Sequence, residues 1–222
     1  MLERLPDLQT RNIHTKPELG LAKVFYIGDQ VFEILKKLIK QSKIKGAYLS
    51  HYFLPPDILP HVKAGIRYEE PADLAIANQL LDDLCEKYRD IVTDRGAFEQ
   101  TTGEYQHFPP DIVVDYVICH AFQFLLKGKD DLGNILPPVN KMAEWILQLK
   151  NEITNSVIES RDIFRINSDV RSLKQSEIGW IWERFVHHLL NSYQANYDPN
   201  NPAESYELKV KQVLKENDIL IH

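Results

Sequence analysis

The segment WIWERFVHHLL, residues 180–190, holds the side chains of this chain best suited to proton transfer or metal binding. Glu183 and His187 are four residues apart, a spacing that places both on one face of a helix, and His188 follows directly. Metal-binding bundles use Glu-x-x-His, one residue shorter, and zinc proteases use His-Glu-x-x-His. Neither motif is present. The segment therefore predicts a polar helix edge with no catalytic residue, no metal ligand and no cofactor.

A ribonuclease is the second chemistry that these side chains could serve. The composition resembles that of the HEPN family of helical ribonucleases, which typically carry an arginine, four to six further residues and then a histidine on a late helix. Arg184 and His188 are separated by only three residues, so the motif is not matched as written. A metal-dependent hydrolase or a helical ribonuclease that uses the region of His187 and His188 stays open as the enzyme alternative.

Five lysines in the segment DQVFEILKKLIKQSKIK indicate a different kind of chemistry, the binding of phosphate. Lys36, Lys40 and Lys43 recur at i, i+4 and i+7, so a helix would present these three side chains on one side. Like charges at this spacing destabilise a helix by roughly a few tenths of a kcal/mol per pair, and a bound anion would relieve the repulsion. Because lysine contacts phosphate without reading sequence, the row predicts a nucleic-acid backbone interface. A solvated face is one alternative, and an amphipathic helix on a membrane surface is another. The lysines are Lys36, Lys37, Lys40, Lys43 and Lys45.

A second basic strip lies in the segment SRDIFRINSDVRSLKQ, where two aspartates dilute its charge. It is interpreted in the same way as the first strip. It predicts either a face that binds the nucleic-acid backbone or an ordinary solvated surface. Its basic residues are Arg161, Arg165, Arg171 and Lys174.

Trp180 is the candidate anchor for a protein partner. Ile178, Ile181 and Phe185 define the apolar seam of its predicted helix, and Trp180 lies largely outside that seam. A tryptophan without an intramolecular cover is typical of a binding interface. We therefore expect Trp180 to be exposed in the isolated chain and buried by another subunit.

Most of the chain shows apolar residues that recur at three and four, which predicts helices. In PPVNKMAEWILQLKNEITNSVIE these residues form a narrow seam of the kind found in packed bundles. We therefore predict an all-α fold, a bundle of about five to six helices formed mainly by residues 70–194. The central seam consists of Val139, Met142, Ile146, Leu149 and Ile153.

The region before residue 66 gives weaker signals. AKVFYIG could be a strand or a helical turn, and GAYLSHYFLPPDILPHVKAGI contains three prolines and no sustained helical period. We predict an irregular or small mixed region at 1–66, made of the basic helix and this connection, followed by the bundle at 67–222. The two parts could also form one continuous domain. The aromatic residues Tyr48, Tyr52 and Phe53 either stack on bases or pack the connection.

Composition limits the class of protein. The 222 residues carry a formal charge of −6, which argues against an entirely basic surface but leaves room for a local basic face. No apolar run reaches the roughly 18 residues of a membrane span, and the start MLERLPDLQT lacks the features of a secretion signal. Cys85 and Cys119 lie in apolar helical patterns, which predicts buried free thiols. We expect a cytoplasmic protein.

Function follows from these features by elimination. The chain has no phosphate-binding glycine loop, no dinucleotide fingerprint and no nucleophile elbow. We therefore predict a non-catalytic subunit of a larger cytoplasmic nucleoprotein assembly, with protein subunits and an RNA or DNA backbone as partners and no membrane contact. The chain is similar in type to the small helical subunits of RNA-guided CRISPR effectors, although no motif is shared. A helical scaffold without nucleic-acid contact is a further alternative.

Overall fold

The computed structural model shows two compact units, one within residues 8–100 and the other within residues 122–219. The division that the sequence suggested near residue 66 falls inside a β-strand, His61–Arg67. The residues that the structure describes are 8–52, 59–94, 96–100, 122–155, 175–193 and 205–219.

The N-terminal unit is mixed α/β, so the prediction of an all-α helical bundle for the whole chain is wrong. Its described strands form one antiparallel sheet in the order β2-β3-β1-β4, and β5 also pairs with β1. The chain order β-α-β-β-α-β with this strand order is the split βαβ, or ferredoxin-like, arrangement. The elements are β1 (Leu8–Thr15), α1 (Leu21–Lys40), β2 (Gly46–Tyr52), β3 (His61–Arg67), α2 (Pro71–Lys87), β4 (Val92–Asp94) and β5 (Glu99–Gln100), with a 3-10 turn at Pro17–Leu19.

Helix α1 buries one side, which contacts β2, β3 and α2. The stretch AKVFYIG, ambiguous in sequence, is the first part of this helix, whereas GAYLSHY is strand β2. The helix ends at Lys40 and does not continue to residue 45, and Ser42 beyond it has a left-handed φ of 55°. The apolar residues of the buried side recur at three and four, as an amphipathic helix requires. They are Val24, Ile27, Val31, Leu35 and Leu38.

Because side chains alternate along a strand, one face of the sheet meets the helices with mainly apolar side chains, and the opposite face carries mainly polar ones. Ile13, Leu49 and Val62 lie on the apolar face and are buried. On the opposite face Tyr48 lies beside Gly65 of β3 and is only 8% exposed. The Tyr48 ring is therefore covered, and base stacking by this residue is not supported.

Arg11 of β1 is a charged residue on the apolar face of the sheet. Its side chain is fully buried, and its guanidinium donates to Asp82 Oδ1 at 2.6 Å and to the main-chain oxygen of Asn78 at 3.1 Å. Both partners belong to α2. A buried charge is tolerated only where it is paired and hydrogen-bonded. Arg11 thus links the central strand to α2.

The described residues of the C-terminal unit contain helices and no strand. The apolar seam extends over two consecutive helices, α4 and α5. Met142, Ile146 and Ile153 are fully buried on it, whereas Val139 is half-buried. The helices are α3 (122–132), α4 (Val139–Gln148), α5 (150–155), α6 (Gln175–Ser192) and α7 (Tyr206–Glu216).

Tyr193, directly after α6, bonds to the last part of α3 and to the residue that follows that helix. Its hydroxyl lies 2.6 Å from the carbonyl oxygen of Gly128 and 2.7 Å from that of Gly133, and it donates its single proton between them. Burial, followed by the charges of Asp131 and Asp130, raises the pKa of Tyr193 to about 12. Gly128 lies inside α3.

Cys85 on α2 is a buried thiol that is not part of a disulfide, as predicted, and Cys119 lies outside the described residues. Within the described part of the chain, no helix combines the length and the apolar character that a membrane span needs.

Candidate nucleic-acid interface on helix α1

The outer side of α1 forms a straight line of side chains, which we call the α1 stripe. Because the buried residues fix the inner side of the helix, the residues between them at steps of three and four face outward. The helix has 20 residues and is therefore about 30 Å long. The stripe residues are exposed or half-exposed, and they are Lys23, Tyr26, Gln30, Glu33, Lys37 and Lys40.

Lys37 and Lys40 lie exposed in the last turn of α1. Among the residues that the structure describes, no carboxylate pairs with either amine. The negative end of the helix dipole favours cations in the last turn, which offsets the repulsion between neighbouring lysines. The two ammonium groups are therefore available to an anion from solvent.

The other three predicted lysines of this strip are each placed beside a carboxylate. Lys36 Nζ lies 3.6 Å from Glu33, Lys43 Nζ lies 3.2 Å from Asp73, and Lys45 Nζ lies 3.2 Å from Glu69. Lys43 and Lys45 follow the end of the helix, so the expected helical row from Lys36 through Lys43 is not formed. The available basic surface is smaller than the sequence suggested.

Tyr26 and Tyr88 form an aromatic pair near the start of α1. The Tyr26 hydroxyl donates to the Tyr88 hydroxyl at 3.1 Å, and the Tyr88 hydroxyl donates to Gln30 Oε1 at 3.3 Å. The rings meet edge to face with centroids 5.4 Å apart. The hydrogen bond between them lowers the pKa of Tyr88 and raises the pKa of Tyr26. Tyr26 remains 41% exposed, with the amine of Lys23 5.7 Å from its ring centre.

Sequence reasoning missed Tyr26 because AKVFYIG was not assigned to the helix. Once the helix is extended to Leu21, Tyr26 falls on the same line as Lys37 and Lys40. The signal that could have revealed it is the apolar periodicity of Val24, Ile27 and Val31, which continues the pattern of the later turns.

The remaining predicted interface residues are not tested by the structure. Trp180 belongs to α6, but its side chain lies outside the described part. The second basic strip also lies outside the described residues, and it consists of Arg161, Arg165, Arg171 and Lys174.

The histidine region of α6 forms a charged cluster with α7. His187 Nδ1 lies 3.0 Å from each carboxylate oxygen of Glu207. Lys211 contacts the same carboxylate and donates to Glu183 at 3.0 Å. His188 is 9% exposed, and its ring meets that of His187 edge to face at 5.2 Å. The cluster joins α6 to α7 through the contacts of His187 and Lys211 with carboxylates.

Glu207 holds a negative charge at the centre of this cluster. Burial by itself raises the pKa of the Glu207 carboxyl, but the hydrogen bonds and charges of His187 and Lys211 outweigh burial and lower the pKa to about 2. A carboxylate at Nδ1 keeps the imidazole proton on that nitrogen and leaves Nε2 for another partner. The His187 side chain is 32% exposed. The arrangement can therefore orient His187 for proton transfer.

Metal binding gains no support from this cluster. Across the described ranges, no group of three histidine, cysteine, aspartate or glutamate side chains is placed to share a metal ion. The metal-dependent form of the enzyme alternative therefore has no ligand set among these residues.

No model of a known protein family matches this chain, and no curated protein matches its sequence. The fold defines the class on its own. The protein combines an N-terminal ferredoxin-like α/β unit with a C-terminal unit whose described residues are helical.

Proposed function

We propose that the protein is a non-catalytic subunit of a larger cytoplasmic nucleoprotein assembly and that the last turn of α1 contacts the nucleic-acid backbone. The supporting observation is the exposure of Lys37 and Lys40, which no carboxylate among the described residues neutralises. Ammonium groups bind phosphate as point charges and do not select sequence.

The neighbouring lysines can join this contact at small cost. The pair between Lys45 and Glu69 is exposed on both sides, with 51% and 53% of the side chains accessible. Exposed pairs of this kind contribute about 0 to 1 kcal/mol, so a phosphate can replace the carboxylate. The formal charge of −6 opposes nucleic-acid binding by the whole chain. Partner subunits are therefore expected to supply further positive surface.

The test is the salt dependence of nucleic-acid binding by a K37A/K40A double variant. Each lysine that neutralises a phosphate adds about 0.9 to the slope of log affinity against log salt on duplex DNA, and about 0.7 on single strands. The variant should bind more weakly, with a slope shallower by about 1.4 to 1.8. The helix should persist because alanine is a better helix former than lysine.

The matched control is K141A/K215A, which removes two exposed lysines from the C-terminal unit and changes the net charge by the same amount. Its salt slope should equal that of the wild type if the contact is local. If the K37A/K40A variant keeps the affinity and the salt slope of the wild type, Lys37 and Lys40 do not contact phosphate and form only a solvated surface.

A ribonuclease is the second candidate, favoured by the contact between His187 and Glu207. A histidine oriented by a carboxylate can accept the proton of a ribose 2′-hydroxyl. The 2′-oxygen then forms a bond to the adjacent phosphorus, and the 5′-oxygen leaves with a proton from water. The products are a 2′,3′-cyclic phosphate and a free 5′-hydroxyl.

This second candidate is tested by incubating the full chain with RNA and with DNA of the same sequence. Cleavage of RNA alone, lost in His187→Asn, would support it, because DNA lacks the 2′-hydroxyl. Intact RNA after long incubation with the wild type would exclude it.

A further inference from the structure

We propose that the α1 stripe binds a single-stranded segment of nucleic acid, with Tyr26 stacked against an unpaired base while Lys37 and Lys40 hold phosphates. This inference rests on the proposed backbone contact and adds the strandedness of the ligand. It depends on one geometric fact, that an exposed aromatic ring and two available ammonium groups share one line on one rigid helix.

The spacing along the stripe suits several nucleotides. Tyr26 precedes Lys37 by 11 residues and Lys40 by 14, which corresponds to about 16 and 21 Å at the helical rise. A strand with duplex spacing places one phosphate about every 3.4 Å. The distance from Tyr26 to Lys37 therefore spans about five phosphates, and the distance to Lys40 spans about six. An extended single strand covers these distances with fewer. One ligand can therefore reach both ends of the stripe.

The aromatic end distinguishes single strands from duplexes. In a duplex the base faces are stacked on each other, whereas an unpaired base offers a free face to a tyrosine ring. Tyr26 is held in place by its hydrogen bond and edge contact with Tyr88. It still exposes 41% of its surface. A ring that is fixed but exposed loses little conformational entropy when a base stacks on it.

Each ring of the Tyr26–Tyr88 pair has one lysine amine near it. The amine of Lys23 lies 5.7 Å from the Tyr26 ring centre, and that of Lys87 lies 4.9 Å from the Tyr88 ring centre. Exposed contacts of this kind are weak, so either amine can turn to a phosphate beside the stacked base. The aromatic end thus offers both the stacking surface and the charge that a nucleotide needs.

Glu33 lies in the middle of the stripe and opposes a phosphate there. Its side chain is 64% exposed and lies 3.6 Å from Lys36. A strand that crosses the stripe must pass close to this carboxylate. Removing its charge with Glu33→Gln should therefore tighten binding by about two- to five-fold.

The experiment measures fluorescence anisotropy of labelled oligonucleotides of about 12 nucleotides, within the length range of single-strand sites, with the full chain at low salt. The probes are a mixed-sequence single strand and its duplex. Tyr26→Ala should weaken single-strand binding by about 5- to 150-fold without changing the salt slope, because stacking releases no counterions. Tyr26→Phe keeps the ring and should bind as the wild type does. Duplex binding should be equal for all three proteins.

Each outcome separates this inference from the proposed function. If K37A/K40A weakens binding while Tyr26→Ala leaves single-strand affinity unchanged, the single-strand inference fails and the backbone contact stands. If neither variant changes affinity, or if no probe binds at low salt, both fail. Thermal unfolding of each variant shows whether a loss of binding reflects a loss of folding.

Discussion

Gly65 of β3 lies directly against the ring of Tyr48 on β2, so closely that a Cβ on Gly65 would be 2.1 Å from a ring carbon of Tyr48. The backbone of Gly65 does not have a positive φ, so alanine is acceptable at this position in conformation. Alanine is excluded only because its Cβ would have no room beside the Tyr48 ring. Tyr48 is buried, and its ring cannot move away without disturbing its surroundings.

Gly65→Ala should therefore destabilise the protein by about 1–3 kcal/mol, the usual cost of overpacking. Urea unfolding of the wild type and the variant measures this difference. In a Tyr48→Ala background the ring is absent, so the same substitution should cost much less. An equal cost in both backgrounds would contradict the contact.

Glu207 should make the protein sensitive to acid. Its carboxyl has a pKa of about 2 in the folded protein, whereas an unperturbed glutamate has a pKa of 4.5. A lowered pKa contributes stability that is complete above pH 4.5 and is lost as the pH falls toward 2, on the order of 3 kcal/mol in total. Unfolding free energies across this range should fall for the wild type. Glu207→Gln should flatten the change, and an unchanged pH profile in this variant would assign the acid sensitivity to other groups.

Tyr193 should make the protein sensitive to alkali. Its pKa is raised from 10.0 to about 12, so the stability it contributes is complete below pH 10 and is lost as the pH rises toward 12. Tyr193→Phe removes the hydroxyl between two carbonyl oxygens and should cost about 1–3 kcal/mol at neutral pH. The variant should also lose part of the alkaline dependence measured by unfolding at pH 9 to 12. A parallel alkaline profile for variant and wild type would argue against the buried hydroxyl.

Ile146 tests the core of the C-terminal unit. Its side chain is fully buried in the seam on α4. Ile146→Ala should therefore destabilise the unit by about 2–5 kcal/mol. Gln148→Ala, an exposed change on the same helix, should stay within about 0.5 kcal/mol of the wild type. Similar unfolding free energies for the two variants would mean that the seam is not the core.

The helices could be predicted from the sequence because their apolar residues repeat over many turns. The basic helix and the seam residues Met142, Ile146 and Ile153 follow this rule. The strands could not be predicted in the same way, because each is short and its alternation is weak. On β1 the inward position next to Ile13 is taken by Arg11, which disguises the apolar face. On β3 the side chains that face the helices include the small Ala64, and the opposite face includes Gly65, so the contrast between the two faces is weak in the sequence.

The candidate interface differs from the helical row that the sequence predicted. The spacing in the sequence grouped Lys36, Lys40 and Lys43, with Lys37 beside them, whereas α1 ends at Lys40. Lys37 and Lys40 are exposed on the helix, and their binding to nucleic acid stays a prediction. The acidic partners of Lys43 and Lys45 come from the start of α2 and the residues just before it, more than twenty residues later in the chain. Such pairings depend on the tertiary fold and leave no mark in local sequence.

The place of β1 in the sheet also affects how the N-terminal unit is made. Strand β1 pairs on one side with β3, through Leu8 and Arg67, and on the other with β5, through Gln9 and Gln100. During synthesis β1 leaves the ribosome before either neighbour exists. The sheet is complete only after residue 100 has emerged. The ion pair of Arg11 with Asp82 can form only after α2 has been synthesised. Contacts of such long sequence separation slow folding. Until then the edge of β1 that pairs with β4 and β5 stays open, and an open strand edge of this kind is prone to aggregation.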